Sequence, residues 1–221
     1  HEKNSERVNK AYVVWSDTIE KRLDPMYFHP TRLRAIDAVK KSSQPIALLS
    51  EIAEFRREVV GEIPKGMPYL GLENVASNSG EYIENGEKES VSSAFVFKRG
   101  DVLFPKLRPY LNKVFYADFE GVCSTEFHVL RAHKCQPFYL FSFLGRSVVV
   151  EQTSRLMTGN TLPRLQTEDV ENLLIPIPTE AKQKKIIDGV QSSYSKIRTL
   201  SIQATKVLEE AQKQVEQMIL S

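Results

Sequence analysis

The stretch "IDGVQSSYSKIRTLSIQATKVLEEAQKQVEQM" (residues 187–218) decides how the rest of the chain is read. Its apolar and small residues alternate spacings of three and four without a slip: Ile187, Val190, Tyr194, Ile197, Ser201, Ala204, Leu208, Ala211, Val215 and Met218. That is the seam of a coiled-coil-type helix, about 48 Å long at about 1.5 Å per residue. Ser201 and the two alanines keep it narrow, so a second helix can come close. The start is marked by Pro178, Thr179 as N-cap and Glu180, and neither glycine nor proline follows Gly189. An adjoining compact domain cannot bury a stripe of this length. The pattern predicts a partner helix.

Residues 46–178 follow a different pattern. Gly, Pro, Asn and Ser break them into short β-rich runs: "PYLGL", "AFVF", "DVLF", "KVFYA", "EFHVLRA" and "NLLIPIP". "QPFYLFSFLGRSVVVEQ" is the main helical interruption and is apolar enough to be buried. "ENVASNSGEYIENGEKESVSS" is a long polar loop, either disordered or functional. Residues 1–45 form a lead-in with one helix candidate, "PTRLRAIDAVKK", on which Leu33, Ile36 and Val39 share a face behind Pro30. The expected architecture is α+β: a sheet-containing globular domain over 46–178, then a long C-terminal helix over 179–221.

Composition narrows the class. An apolar fraction of 41% with 26% charged residues is that of an ordinary globular chain. No apolar run approaches the roughly 20 residues of a membrane span, and the N-terminus lacks a signal-peptide pattern. Cys123 and Cys135 are too few for a disulfide framework, and the histidines at 1, 29, 128 and 133 have no metal-ligand spacing. No metal and a reducing, cytoplasmic setting are expected. The net charge of +2 conceals segregation: residues 95–115 hold five Lys/Arg against Asp101 alone, while residues 50–90 hold nine Glu against four Lys/Arg. A locally basic surface attracts phosphate although the whole is nearly neutral.

That basic surface centres on "FPKLRPYLNKVFY" (residues 104–116). There Lys106, Arg108 and Lys113 interleave with Tyr110, Phe115 and Tyr116 on a backbone stiffened by Pro105 and Pro109. Lys and Arg supply phosphate contacts, and Arg also bridges guanine edges. A second loop, "MTGNTLPRL" (residues 157–165), is small and polar, ends in Arg164, and can bring backbone amides to a phosphate. Catalytic patterns are weaker. "DPMY" (24–27) resembles the Asp-Pro-Pro-Tyr loop of DNA amino-methyltransferases, but Met26 replaces the second proline and no glycine-rich cofactor loop precedes it. "EAK" (180–182) could end a nuclease signature, yet it sits at a helix start. "CSTEFHV" (123–129) offers Cys123, Glu126 and His128, but on one β-like run Cys123 and His128 would face opposite ways. No active site is expected.

Five ordered stretches, "YLGLENV" (69–75), "GDVLFPKLRPYLNKV" (100–114), "GVCSTEFHVLR" (121–131), "TGNTLPRL" (158–165) and "LLIPIPTEAKQKKI" (173–186), together resemble the specificity (S) subunit of type I restriction-modification systems. The resemblance covers about residues 46–221. "RLDPMYFHP" (22–30) is similar to the lead-in of such domains in some S subunits and methylase-fused restriction enzymes. It implies a target recognition domain seated on the family's conserved helix. Such a subunit is not an enzyme. It holds methyltransferase (M) and restriction (R) subunits on double-stranded DNA, and S-adenosylmethionine and ATP belong to those partners. Full subunits usually carry two recognition domains, each reading half of a bipartite site, with antiparallel helices as a ruler. One domain and one helix here leave open a natural half-subunit, a truncated product or an excised fragment. For all three the seam predicts a homodimer that rebuilds the pair.

The resemblance implies DNA contacts from Lys106, Arg108, Tyr110 and Lys113, and from Thr158, Gly159, Asn160, Thr161 and Arg164. Asn74, Ser77 and Asn78 open the polar loop and are expected near base edges. The helix-pairing set is Ile187, Val190, Tyr194, Ile197, Ala204, Leu208, Ala211, Val215 and Met218. Two rival readings stand beside this one. The domain could be the C-terminal recognition part of a single-chain restriction-methylation enzyme, or an assembly module that binds no DNA.

Overall fold

The frequent breaks between residues 46 and 178 leave no room for long strands, and the structure, a computed structural model, builds its sheets from pieces of two to six residues. It describes residues 12–14, 19, 23–63, 65–84, 93–158 and 162–220. In order come α1 (Pro30–Lys40), β1 (Ile46–Leu48), α2 (Leu49–Ile52), β2 (Ala53–Arg56), β3 (Val59–Val60), β4 (Tyr69–Leu70), β5 (Ala94–Phe97), β6 (Val102–Pro105), β7 (Phe115–Tyr116), β8 (Gly121–Ser124), β9 (Phe127–Ala132), α3 (Pro137–Leu144), α4 (Ser147–Thr153), α5 (Thr167–Glu171), β10 (Leu174–Pro176) and α6 (Glu180–Leu220). Single 3-10 turns lie at Leu72–Asn74 and Pro109–Leu111. The α+β class and the long C-terminal helix are as the sequence implies.

Two four-stranded sheets carry the domain, in the orders β2-β9-β6-β7 and β3-β5-β8-β4, with β1 and β10 as a separate antiparallel pair. Among the described residues all strand pairings are antiparallel except β4 with β8. Leu103, Phe127 and Val129 from one sheet and Leu70, Phe97 and Cys123 from the other meet in a common core. Phe119 makes edge contacts with Phe97 and Phe115 within it. Strand alternation sends His128 and Leu130 to the opposite face of β9, and α3 packs on that sheet, where Phe138 and Phe141 meet Tyr116. Asp101, 1% exposed, pins this arrangement. Its carboxylate accepts the Lys98 N–H at 2.8 Å and, one oxygen each, Nε and Nη2 of the Arg131 guanidinium at 2.8 and 2.9 Å, joining the β5–β6 turn to β9.

Three local expectations change. "CSTEFHV" is not one run: Ser124 Oγ accepts the Glu126 N–H (3.2 Å) and turns the chain, so Cys123 lies on β8 and His128 on β9, in different sheets. Burial pushes the Cys123 thiol up to about 12, far from a thiolate. On α1 the buried residues are Ala35 and Val39, while Leu33 is 43% exposed, because the helix packs on α4 through its small-residue face. The apolar interruption after Gln136 is two helices, α3 and α4, divided at Gly145 and Arg146. "DPMY" is a turn leading into α1, where Asp24 Oδ1 accepts the Met26 N–H, and the Arg32 guanidinium lies 4.0 Å over the Tyr27 ring.

The chain divides into two compact units, His1–Pro178 and Thr179–Ser221. The second is the single helix α6, 41 residues or about 60 Å. The Thr179 carbonyl accepts the Gln183 N–H, as an N-cap position does. Along it Ile197, Leu208, Val215 and Met218 are 47–81% exposed, and so are Leu200 and Val207 beside the seam. Among the described residues no helix is long and apolar enough to cross a membrane.

The His128 ring is buried edge-on against Phe55, and its Nε2 has no partner among the described residues. Burial, with Lys106 and Arg57 nearby, pushes its pKa down to about 3. A base held below its unfolded value near 6.5 stabilises the fold fully above that value and loses the contribution as pH falls toward 3. Wild type and His128→Phe, unfolded in urea between pH 7 and 4, should diverge on acidification by up to about 1.4 kcal/mol per pH unit. Parallel curves would contradict the assignment.

Candidate nucleic-acid interface

Pro105 ends β6 and Pro109 opens a 3-10 turn, so the residues between them are fixed by their neighbours. The Lys106 N–H donates to the Glu126 carbonyl (2.7 Å), the Leu165 N–H to the Lys106 carbonyl (3.0 Å), and the Arg108 N–H to the Pro163 carbonyl (3.1 Å). Isolated bridges pair Arg164 with both Leu107 and Thr158. The two segments singled out in the sequence, some fifty residues apart, are therefore bound side by side through their backbones. The Arg164 guanidinium seals the junction by straddling the Glu126 carboxylate, with contacts of 2.6 to 3.1 Å.

The cations of this region divide by what they touch. Lys106 donates from Nζ to the Thr125 carbonyl (2.7 Å) and lies 4.8 Å over the Phe95 ring. Burial lowers its pKa against the opposing pull of Glu126. Lys113 donates to the Leu72 carbonyl (2.8 Å). Each ammonium keeps two further N–H donors. Arg108 is different: it is exposed, and among the described residues its side chain makes no hydrogen bond or ion pair. Tyr110, 47% exposed, sits beside it on the same turn.

Backbone conformation marks the same place. The non-glycine residues with positive φ among the described residues are Asn78 (67°), Arg108 (49°) and Asn112 (50°). Arg108 and Asn112 bracket the turn Pro109–Leu111. Asn112 Nδ2 donates to Asn78 Oδ1 (3.2 Å) and to the Gly145 carbonyl (3.0 Å), while the Asn78 N–H donates to the Asn112 carbonyl (3.0 Å). At Gly80 (φ +69°) any Cβ would lie 2.3 Å from the Val114 carbonyl oxygen, so only glycine fits. Three loops are thus locked together, and Ser77 and Asn78 are exposed on one of them.

Asn74, expected with them near base edges, is instead 6% exposed. Its amide accepts the Gly71 N–H and donates to the Ile83 carbonyl, closing the base of the polar loop. Thr158 is exposed and bonded to Gln166, whereas Gly159, Asn160 and Thr161 lie outside the described residues. Sequence reasoning missed Asn112, Glu126 and Phe95. The "N" closing "RPYLN" carried a usable signal, since Asn favours the left-handed conformation. The reach of Glu126 to Arg164 is a long-range contact with no local trace.

A family model for the type I restriction modification DNA specificity domain matches residues 56–210, more than half of the chain. The chain belongs to this family. It is 26% identical over 122 residues to the specificity subunit of the Escherichia coli type I restriction enzyme EcoDI. That alignment takes in 55% of this chain and 27% of the relative. Among solved structures, this specificity-domain chain is similar to the HsdS subunit of Thermoanaerobacter tengcongensis (25% identity, TM-score 0.55, covering 80% of this chain and 47% of that one). It is also similar to a chain from work on complex assembly and conformational transition of the type I R-M system (26% identity, TM-score 0.57, 75% and 47%). The chain therefore spans about half the length of its structural relatives.

If the Arg164–Glu126 pair is what joins the two segments, a double-mutant cycle of Arg164→Ala and Glu126→Ala in urea unfolding should give a coupling of about 1–2 kcal/mol. Additive effects of the two substitutions would leave the backbone bonds as the whole of the join.

Proposed function

We propose that this chain is the DNA-reading part of a type I specificity subunit. Residues 46–178 bind double-stranded DNA at one half of a bipartite site, and α6 pairs with a second such helix and offers a docking surface to M and R subunits. The chain performs no chemistry; S-adenosylmethionine and ATP are carried by those partners, in the cytoplasm. The observation that carries this reading is the union of residues 106–112 with residues 163–165 into one rigid edge that presents Arg108 and Tyr110 to solvent. A rigid edge with an uncommitted guanidinium meets phosphate without first breaking a bond within the protein. Lys106, Lys113 and Arg164 hold that edge in shape, and the two lysines contribute positive potential beneath it.

The helix supports the second half of the reading. From Ile197 onward its pairing residues are exposed in a single copy, and Ile186, Leu200 and Val207 widen the stripe on one side of the seam. A seam of about 48 Å exceeds one duplex turn of roughly 34 Å, which suits holding two half-site readers apart. No particular feature favours the single-chain restriction-methylation alternative over this one.

Light scattering of the purified chain at micromolar concentration should return a dimer, and Leu208→Glu a monomer with an unchanged far-UV spectrum of the globular part. A monomeric wild type would remove the homodimer. In fluorescence anisotropy with a mixed-sequence duplex, Arg108→Glu should weaken association by tenfold or more at low salt. Arg108→Ala should lower the slope of log K against log salt by about one. If the wild-type chain shows no salt-dependent association at all, the assembly-module reading takes its place.

A further inference from the structure

An open groove of about 430 Å3 lies at the junction of the three locked loops. Asn78, Tyr110, Asn112, Arg146, Ser147 and Glu151 are among its lining. Arg146 and Glu151 did not enter the sequence-based site, and both are exposed. No ion pair joins them or ties either to another described residue. A cation and an anion facing one groove without neutralising each other are unlike a phosphate seat, where Glu151 would repel the ligand. They are also unlike a packing contact, since neither is covered. A base-pair edge, by contrast, presents donors and acceptors side by side. It accepts from arginine at guanine O6 and N7, donates to a carboxylate from cytosine N4, and suits the Asn78 amide at adenine.

The floor of the groove adds to this. Asn78 and Asn112 hold left-handed backbone there, with Arg108 at the other end of the Asn112 turn. Asn112 spends its amide on Asn78 and Gly145, on two different loops. Strained backbone kept in place by its surroundings is characteristic of sites where side chains must be pre-positioned, and readout of a base edge needs that precision more than phosphate contact does.

We propose that this groove reads base edges in the DNA major groove, with Arg146 and Glu151 as specificity-determining residues and Asn78 and Tyr110 flanking them. The proposal rests on the DNA-reading function above and divides its labour. Arg108 fixes register on phosphate, and the groove chooses sequence.

The test is selection of bound duplexes from a library with a randomised core, followed by sequencing, for the full chain and for Arg146→Ala, Glu151→Gln and Arg108→Ala. All three side chains are exposed and unpaired among the described residues, and unfolding midpoints equal to wild type verify that the variants fold. Arg146→Ala and Glu151→Gln should each relax or change base preference at one or two positions of the selected motif. The enrichment lost should be about 5- to 150-fold, the range of one bidentate base contact. Arg108→Ala should weaken binding to all sequences and retain the motif. If wild type selects a motif and both groove variants select the same one at every position, the groove proposal is overturned while the DNA-reading function stands. If wild type selects no motif, the DNA-reading function itself fails, and the groove with it.

Discussion

The join between residues 106–108 and 163–165 is the constraint on which the candidate surface depends. It consists of two backbone hydrogen bonds between those segments, a third from Lys106 to the Glu126 carbonyl, and the Glu126 carboxylate that Arg164 straddles, and without it two irregular loops would each be free to wander. Neutral backbone bonds contribute about 1 kcal/mol each, and a charge-assisted bidentate pair roughly twice that. Together these are enough to hold a short loop against its conformational entropy. Arg164 has a structural task here that its charge alone would not suggest. Its guanidinium is turned toward Glu126, and Arg108, two residues past Lys106, is the outward cation of this edge among the described residues.

A second division follows from the sheets. Asp101 and the aromatic core fix the two sheets against each other, and the loops that carry the exposed polar groups leave from their ends. Loops seated on a rigid scaffold are where binding residues concentrate, because their side chains can vary without disturbing the core. The left-handed residues Asn78, Arg108 and Asn112 lie in these loops and not in the strands.

The sequence was most legible where periodicity is long. Ten seam positions without a slip define α6, and its observed span begins at Glu180, one residue past the expected N-cap. All six short β-rich runs became strands, since apolar runs between Gly and Pro breaks have few alternatives. Legibility failed where a single side chain redirects the chain. Ser124 capturing the Glu126 N–H turned one apparent strand into two, and nothing in the apolar pattern of "VCSTEFHV" marks that turn. It failed again where small residues decide packing: Ala35 sets the buried face of α1 while the larger Leu33 remains outside. The cationic segment was readable by composition, but which cations point outward depends on carbonyls at Leu72 and Thr125 and on a carboxylate at Glu126. Those neighbours are assembled only by the fold.

The groove side chains have a consequence for how such a chain can change over time. The side chains of Arg146, Glu151 and Tyr110 are exposed and make no hydrogen bond or ion pair among the described residues, so replacing them leaves the protein's margin above its unfolding threshold nearly untouched. Asn112, Gly80 and Glu126 have no such latitude. Drift and selection can therefore explore the first group while the second stays fixed, and single substitutions in the groove need not pass through unfolded intermediates. The architecture separates what must be kept from what is free to diversify.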